Sequence, residues 1–531
     1  MRILLTNGRV HTPDDPGATA LLVEGDRIAW IGHEGAALAQ RDGVDTVVDL
    51  DGALVTPAFV DAHVHVTATG ANTTGLDVTT TTGSADLLRT IERFCSAVPD
   101  DDIVVGHGWD ETTWPEPTTP SRADIDRAAR GRPVYLTRID VHSALASTAL
   151  LERIPDVSGL AGFDATGLLR SDAHHRARRA VLDAMAPAQR GRLQRVALDG
   201  FAAAGIAAVH EMAGPDISSE SDVTGLLTGD HGVLVTAYWG EPDVSTAVRL
   251  GAIGAGGDLF ADGAIGSHTA YLAQPYADDS TTRGVLHLTS ADVADHVVQC
   301  TERGIQAGFH VIGDAALDEV LEGFLAAADR LGAARIRAAR HRLEHVEMPS
   351  VDAMATLADL GVTASMQPQF DELWGGRGGM YERRLGPGRA APVNPFASLV
   401  RAGVPLAFGS DTPVTTPDPW RTVAAAVFHH RPEERLTARA AFNAHTRGGW
   451  RAVGVDDAGV LRPGAAAHLA VWETDELTVQ APDERIAAWS TDPSSGTPLL
   501  PEVTVGTTGP ACLLTIAAGR VIHDRDDMMP R

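Results

Sequence analysis

Lysine is absent from this 531-residue sequence, so all 43 of its basic residues are arginines. The absence excludes two chemistries that depend on a lysine side chain. One is covalent catalysis through a Schiff base, which requires the lysine amine. The other is a carboxylated lysine that bridges two metal ions. Any metal site in this protein must therefore be built from other side chains.

Cysteines and long apolar runs are also scarce. The three cysteines, Cys95, Cys300 and Cys512, lie far apart, so we expect buried or reduced thiols and neither a disulfide framework nor a cysteine-based zinc site. No apolar stretch reaches the roughly 20 residues that span a bilayer. The N-terminus MRILLTNGRVHTPDD has too short an apolar run for a signal peptide. We therefore expect a cytoplasmic protein.

Positive charge is in deficit. The formal net charge is −27, and a surface of this sign repels nucleic acids and anionic membranes, so we expect neither as a partner. A hydrophobic content of 44% with 21% charged residues is ordinary for a globular protein. The length indicates one large domain with an accessory one. A homodimer is compatible with the sequence, which does not set the oligomeric state.

The two ends of the chain resemble each other. Residues 1–56 and 461–531 read as short strands punctuated by glycine, asparagine and aspartate, and we expect them to form one small composite β-sandwich. The middle, residues 57–460, alternates buried strands with amphipathic helices. Such repeated units predict an α/β fold, a (β/α)8 TIM-like barrel. The segment of about 67–195 is too long for one loop and is predicted to be an insertion after the first barrel strand.

Polar residues follow the predicted barrel strands. His63 and His65 close the first strand in FVDAHVH, His310 and His345 close two later strands, and Asp411 lies in FGSDTPV near the last. Barrel enzymes have their active sites at the carboxyl ends of the strands, and residues two apart on a strand face the same side. Imidazoles and carboxylates are preferred ligands of zinc and similar ions. We therefore predict a divalent metal site with one or two ions, zinc first and iron or manganese as alternatives.

Each signal also has a plain structural interpretation. An HVH sequence can be two polar residues alternating along a strand, and a lone histidine such as His310 is usually hydrogen-bonded and structural. Asp411, before Thr-Pro, can cap a helix. The metal prediction rests on the occurrence of four such places in order, each at the end of a β-unit.

These motifs in combination resemble the amidohydrolase superfamily of metal-dependent hydrolases. The similarity is carried by HVH after TPAFVD, by HVIGDAALD, by RLEHVEM and by FGSDTPV. GHGWDETTWPEP, RPVYLTRIDVHSALAS and LFADGAIGSHTA are similar to its long type 3 branch, which includes N-substituted formamide deformylase-like enzymes. The resemblance covers nearly the whole chain and implies a small-molecule substrate. It also implies that the five residues above hold metal and act in catalysis: His63, His65, His310, His345 and Asp411.

One position departs from that branch, which usually carries the bridging lysine just before FADG. This sequence has Asp258 there, in GGDLFADG. Asp258, or Glu211 at the end of GIAAVHE, could supply an uncarboxylated bridging carboxylate. Alternatively, His345 orients water or substrate, and a single ion is held by the remaining four residues: His63, His65, His310 and Asp411. The third alternative is an inactive relative that is poor in metal.

The resemblance further implies a mechanism for hydrolysis of a non-peptide C–N bond in an amide, N-formyl or N-acyl compound. Metal-activated water attacks the carbonyl, while Asp411 accepts its proton as general base and returns it to the departing nitrogen. His345 or His142, the latter within RIDVHSALAS, would stabilise the oxyanion. His142 is interpreted equally well as a buried structural histidine.

Residues flanking these motifs are candidates for the substrate pocket. We expect four of them to line it, from two separate loops: Trp109, Asp110, Asp262 and His268. The pairs His174–His175 and His429–His430 lie in helical, arginine-rich segments, and we expect both at the surface.

Two other functions remain open. One is deamination of a heterocycle, for which superfamily enzymes usually carry a glutamate three residues after the histidine of the fifth barrel strand, here His310. Here that position is Gly313, with Asp314 one residue further, and the missing acid weighs against this reaction. The other is a non-catalytic regulatory relative, which only the absent lysine supports.

Overall fold

The structure, a computed structural model, describes residues 1–97, 103–474, 476–480, 489–490, 499–506 and 509–529. The predicted barrel is confirmed, because one eight-stranded sheet contains the strands of the middle segment in chain order, all of them parallel. These strands are Phe59–Val64, Ile206–Ala213, Leu234–Trp239, Gly254–Ala255, Gln306–Val311, Arg342–His345, Thr363–Met366 and Leu406–Phe408.

The end of the first barrel strand closes the ring with the segment that follows the last barrel strand. Val64 forms a parallel bridge with Thr412, and the Asp411 N–H donates a hydrogen bond of 2.8 Å to the His63 carbonyl. The closure therefore brings the HVH segment next to Asp411, from the opposite end of the barrel sequence.

Helices follow the strands and cover the outside of the barrel. The helix Ser290–Arg303 begins with a capping box between Thr289 and Asp292 and ends at Gly304 in the left-handed conformation. None of the described helices is both long and apolar enough to cross a bilayer. The other outer helices are Glu220–Thr228, Val244–Leu250, Asp314–Leu331, Val351–Leu360, Phe396–Ala402 and Pro419–Val427. Further helices in the connections are Ala333–Ala339, Pro368–Trp374, Met380–Leu385, Pro387–Ala390, Ala438–Ala444 and Arg447–Ala452.

Strands from both ends of the chain form the composite domain, as predicted. The strand Leu54–Pro57 pairs antiparallel with the strand Leu469–Glu473, and residues of both ends share one apolar core. One sheet contains Arg27–Gly32, Ala20–Glu24, Arg2–Thr6 and Thr46–Asp49. The second contains Arg9–Val10, Leu54–Pro57, Leu469–Glu473, Ala511–Ala517 and Arg520–Asp524. A smaller sheet contains Leu477–Gln480, Trp489–Ser490 and Leu500–Pro501.

The insertion has a sheet and cores of its own. A Cβ at Gly70 would lie 2.0 Å from the Leu193 carbonyl oxygen, so the helices Val66–Thr74 and Pro187–Ala203 pack backbone against backbone and fix the insertion beside the barrel mouth. The predicted limit at about 195 falls inside the second of these helices. The sheet contains Leu76–Asp77, Val104–Trp109, Val134–Arg138, Ser143–Ala146 and Leu168–Arg170. The remaining helices are Ser84–Ala97, Arg122–Ala128, Thr148–Leu151 and Ser171–Asp183.

The buried His445 predicts how stability depends on pH. Its Nδ1–H donates to the carbonyl oxygens of Val60 and Phe408, and burial lowers its pKa from 6.5 to about 4. Between these values the unfolded chain binds a proton that the folded protein does not, so the free energy of unfolding falls as the pH decreases. At pH 5 this group alone accounts for a loss of about 2 kcal/mol relative to neutral pH.

Urea unfolding between pH 7.5 and pH 5 measures this loss. We expect the His445→Asn variant to lose about 2 kcal/mol less than the wild type over this interval. The matched control is His33→Asn, which replaces a histidine whose side chain is 65% exposed and which is measured over the same interval. Equal losses in wild type and His445→Asn would contradict the assignment.

Candidate metal centre

Two carboxylates face the two histidines of the HVH segment at the mouth of the barrel. Asp411 Oδ1 lies 3.4 Å from His63 Nε2 and 3.1 Å from His65 Nε2. Asp258 Oδ2 lies 3.5 Å and 3.3 Å from the same two nitrogens. One imidazole pair is therefore shared by two acids that come from different barrel strands.

His310 and His345 complete this group. Asp258 Oδ1 lies 3.6 Å from His310 Nδ1, so the two oxygens of this carboxylate face different imidazoles. Ligand atoms of His63, Asp258 and His345 lie within 4.8 Å of one another, as do those of His63, His65 and Asp411. The structure thus brings together all six residues predicted to bind metal, which we call the metal cluster: His63, His65, Asp258, His310, His345 and Asp411.

Local backbone conformation turns two of these residues inward. His345 has a φ of 71° and Asp411 a φ of 55°, in the left-handed region that residues other than glycine rarely adopt. Such a conformation costs of order 1–3 kcal/mol and persists only where the surrounding structure holds it. Here the bond from the Asp411 N–H to the His63 carbonyl holds one of the two turns.

Each of the four imidazoles of the cluster is oriented by an oxygen acceptor on one ring nitrogen, so that its other nitrogen faces the carboxylates. Partners of this kind fix the tautomer and the ring orientation of metal-binding histidines. The pairs are His63 Nδ1 with Glu344 Oε2 at 2.9 Å, His65 Nδ1 with the Met212 carbonyl at 3.0 Å, His345 Nδ1 with Gln367 Oε1 at 2.7 Å, and His310 Nε2 with the Gly263 carbonyl at 3.3 Å.

A fully buried ion pair lies behind His63. Arg342 Nε donates to Glu344 Oε1 at 2.6 Å, and Arg342 Nη2 donates to the Ala62 carbonyl at 2.7 Å. Burial alone would raise the pKa of Glu344, but Arg342 and His63 lower it to about 2. Glu344 is therefore ionised and accepts the His63 Nδ1–H. Sequence reasoning missed this pair, although two charged residues alternating along a buried strand, as in RLEH, are a usable signal.

The donor atoms of the cluster fit a divalent cation. His63 Nε2, Asp258 Oδ1 and Asp411 Oδ1 are buried atoms without a hydrogen-bond partner in the described structure, an arrangement that is costly unless positive charge compensates it. Burial lowers the pKa of His63, but the nearby Asp258 and Asp411 raise it well above 6.5. A proton can therefore take the place of the cation, and binding of a metal would release it.

His345 is suited to metal binding for a different reason. Burial and the neighbouring His310 lower the pKa of His345 to about 4, so this imidazole is neutral at physiological pH. Neutral imidazoles and carboxylates form the donor set of many zinc sites. Glu211, the other candidate for a bridging carboxylate, instead accepts the Val66 N–H at 2.7 Å, and burial raises its pKa to about 7.

A cavity of about 100 Å³ lies between the cluster and the insertion. His142 lines it, and the centroid of its ring lies 5.0 Å from that of His310. Burial lowers the pKa of His142 well below 6.5, so its imidazole is neutral. A second cavity of about 20 Å³ adjoins the other side of the cluster. Four residues line both cavities: His142, His310, His345 and Asp411.

Trp109 and Asp110 do not line either of these cavities, contrary to the sequence prediction. Trp109 is 2% exposed and belongs to a core of the insertion, where its Nε1–H donates to the Leu136 carbonyl at 2.9 Å. Asp110 accepts a hydrogen bond of 2.9 Å from Arg138 Nη2. Side chains alternate between the two faces of the strand Val104–Trp109, and Trp109 points into the core of the insertion rather than toward the barrel. The sequence alone does not show which face of this strand packs in that core.

Asp262 and His268 also lie outside the walls of the two cavities, contrary to the prediction. Asp262 accepts backbone N–H groups from Ile312 at 3.0 Å and Gly313 at 2.8 Å, which leaves it a structural role in joining two loops. Burial raises the pKa of Asp262 to about 6. The His268 ring instead pairs with Asp278, at 3.1 Å between Nε2 and Oδ1.

The prediction that both histidine pairs lie at the surface is wrong. His174 and His429 are both 0% exposed. His429 Nε2 lies 3.1 Å from Asp371 Oδ1, beside His430, in a group that resembles a metal site. However, His429 Nδ1 accepts the Arg431 N–H at 3.0 Å, which leaves the proton of the neutral ring on Nε2. That nitrogen then has no lone pair for a metal.

Comparison with known proteins agrees with this geometry. The sequence profile of the amidohydrolase family matches residues 46–523. The N-substituted formamide deformylase of Arthrobacter pascens is 26% identical over 525 residues, which cover 90% of this chain and 94% of that protein. The protein LONG AFTER FAR-RED 3 of Arabidopsis thaliana is 25% identical over 518 residues, which cover 89% and 87%.

A solved structure has the same fold. The crystal structure of an uncharacterized metal-dependent hydrolase from Pyrococcus horikoshii OT3 superposes with a TM-score of 0.72 over 90% of this chain and 98% of that chain, at 24% sequence identity. This likeness concerns the fold alone, whereas the profile match covers most of the sequence. The chain therefore belongs to the amidohydrolase family and is a hydrolase that acts on carbon–nitrogen bonds other than peptide bonds.

Proposed function

We propose that this protein hydrolyses the C–N bond of an amide, N-formyl or N-acyl compound with the help of a divalent metal ion, zinc in the first place, held by the metal cluster. One observation carries the proposal. Four oriented imidazoles and two carboxylates converge in a buried place beside a cavity, and three of their atoms have no hydrogen-bond partner within the described structure.

The cluster offers one or two positions for an ion. His63, His65 and Asp411 form one set of neighbouring donors, and His63, Asp258 and His345 form a second. Asp258 Oδ2 faces His65 and Asp258 Oδ1 faces His310. We therefore propose that this aspartate supplies the bridging carboxylate, in place of the carboxylated lysine that the sequence lacks. When bound, a divalent ion lowers the pKa of a water molecule and polarises a carbonyl group.

Asp411 is proposed to move the proton. Its carboxylate reaches the cavity and can accept a proton from the attacking water, whose oxygen forms the new bond to the carbonyl carbon. Asp411 then returns the proton to the nitrogen as the C–N bond breaks, so the products are a carboxylic acid and an amine. His142, neutral and next to His310, is proposed to donate a hydrogen bond to the developing oxyanion.

Two features support amide hydrolysis over deamination. A Cβ at Gly313 would lie 2.1 Å from the Tyr271 carbonyl oxygen, so the glutamate of the deaminases could not be accommodated there without a backbone shift. Asp314 Oδ1 accepts the N–H groups of Ala273 at 2.8 Å and of Ala315 at 2.9 Å, which commits it to the start of its helix. Neither position provides an acid to protonate a ring nitrogen.

The relative from Arthrobacter pascens supports the choice of first substrates. Its name describes removal of a formyl group from N-substituted formamides, so N-formyl amines are the compounds to assay first, followed by larger N-acyl amines. A non-catalytic role is disfavoured by the complete set of oriented donors in the cluster.

The Asp411→Asn substitution tests the proposed proton transfer. Asparagine keeps the size of the side chain but cannot accept the proton, so we expect amine release from N-formyl and N-acyl amines to fall by at least about 100-fold. Asp359→Asn, on an exposed face of an outer helix, is the control and should react like the wild type. Hydrolysis by Asp411→Asn at the wild-type rate, or ammonia release from aminopurines alone, would refute the proposal.

The Glu344→Gln substitution tests the proposed orientation of His63 for metal binding. The charged acceptor of the His63 Nδ1–H is lost, and we expect the affinity for zinc to fall by about 10- to 100-fold, as measured by competition with a chromophoric chelator. Glu322→Gln, at an exposed position of the helix Asp314–Leu331, is the control.

Because Arg342 would lose its buried partner in Glu344→Gln, the fold must be verified by circular dichroism. Glu344→Asp keeps the charge and should recover part of the affinity. An unchanged affinity in folded Glu344→Gln would mean that Glu344 does not prepare His63 for the metal.

A further inference from the structure

We infer that the substrate carries a carboxylate group and that Arg178 binds it inside the larger cavity. The inference rests on the proposed function, because it assigns the chemical class of the compound that the same site would hydrolyse. Arg178 lies on the insertion helix Ser171–Asp183 and lines the cavity together with His65 and Asp411.

Arg178 differs from the two neighbouring arginines of its helix. Arg176 pairs with Asp156, at 2.9 Å between Nε and Oδ2, and Arg179 pairs with Asp216. By contrast, within the described part of the chain no aspartate or glutamate lies within 4.0 Å of the Arg178 guanidinium. The arginine that faces the cavity is therefore the one whose charge is not compensated by an acid.

The partners of Arg178 are neutral and hold it in place. Its Nη2 donates to the Val141 carbonyl and lies 2.8 Å from His174 Nε2. Burial and the nearby Arg178 lower the pKa of His174 well below 6.5, so His174 carries no charge that repels the guanidinium. A guanidinium has five N–H donors in a planar arrangement that matches a carboxylate, and a fixed side chain loses little entropy when it binds one.

The charges of the residues around the cavity sum to one excess positive charge when a divalent ion is bound. Among the described residues that line it, Asp258 and Asp411 are the acids and Arg178 is the arginine. The two acids face the imidazoles of the cluster and would balance one divalent ion. His107 also lines the cavity, and burial lowers its pKa to about 4. The positive charge of Arg178 is then in excess, and a substrate carboxylate would neutralise it.

The remaining wall of the cavity defines the rest of the substrate. It is mostly apolar, with Asn72 and Thr137 among its polar residues, and the volume of about 100 Å³ is small. A compact apolar group between the scissile bond and the carboxylate fits these limits, as in an N-formyl or short N-acyl derivative of an apolar amino acid. The apolar residues that contribute to this wall include Val105, Val181, Leu182 and Met185 from the insertion and Ile217 from the loop after the second barrel strand.

A matched pair of substrates tests the inference in the metal-loaded enzyme. N-Formylleucine and N-formyl-3-methylbutylamine differ only in the carboxylate, and hydrolysis gives formate with leucine or the amine. We expect the wild type to prefer N-formylleucine in kcat/KM by about 10- to 100-fold and the Arg178→Met variant to lose this preference. Arg178→Lys should retain part of it, and Arg179→Met, the adjacent arginine, should retain all of it.

The ratio of the two kcat/KM values separates recognition from a structural role, because a structural defect would lower both values together. No preference in the wild type, or an equal loss for both compounds in Arg178→Met and Arg178→Lys, overturns the inference while leaving C–N hydrolysis intact.

Calorimetry with two non-hydrolysed probes separates this inference from the proposed function. The probes are 4-methylpentanoate and the neutral 4-methylpentanamide. If neither formyl compound is hydrolysed but binding of the carboxylate depends on Arg178, the proposed function fails and the anion site stands. If the carboxylate binds equally well to Arg178→Met, the inference fails.

Discussion

The candidate site is organised around the contact between two buried carboxylates and the imidazoles of His63 and His65. Asp258 and Asp411 each approach both Nε2 atoms within 3.5 Å, and all four side chains are at most 9% exposed. Burying two acids so close together is unfavourable unless positive charge lies between them. A divalent cation satisfies that requirement with the same atoms that would hold it, and in its absence the imidazoles must take up protons.

The fold supplies the parts of this contact from distant regions of the sequence. Closure of the barrel places Asp411 next to His63 through a backbone hydrogen bond, and the fully buried pair of Arg342 and Glu344 orients His63 from behind. Among the described residues that line the cavity, the insertion contributes apolar side chains and the arginine Arg178. The acids and imidazoles of the metal cluster therefore belong to the barrel, whereas the insertion contributes His142, Arg178 and much of the apolar wall to the same cavity.

The barrel, the composite ends and five residues of the cluster were predictable because their signals are local, whereas Asp258 was identified only through the resemblance to the type 3 branch. Strand period places His63 and His65 on one face, and strand ends identify His310, His345 and Asp411. The positions of Trp109, Asp262 and the histidine pairs depend on contacts between distant segments. Trp109 packs into a core that forms only when the insertion folds, and His429 is buried against the distant Asp371. His174 lies in an arginine-rich helix, which is typical of a surface position, but it is buried because it contacts the distant Val141 carbonyl.

Anomalous X-ray diffraction from crystals of the purified protein, at the absorption edges of zinc, iron and manganese, would show whether a metal ion occupies the cluster. We expect a peak bounded by the His63 and His65 Nε2 atoms and the Asp258 and Asp411 carboxylates, with a second peak beside His310 and His345 if two ions bind. The absence of any peak there, in crystals soaked with each metal at neutral pH, would rule out the proposed metal site.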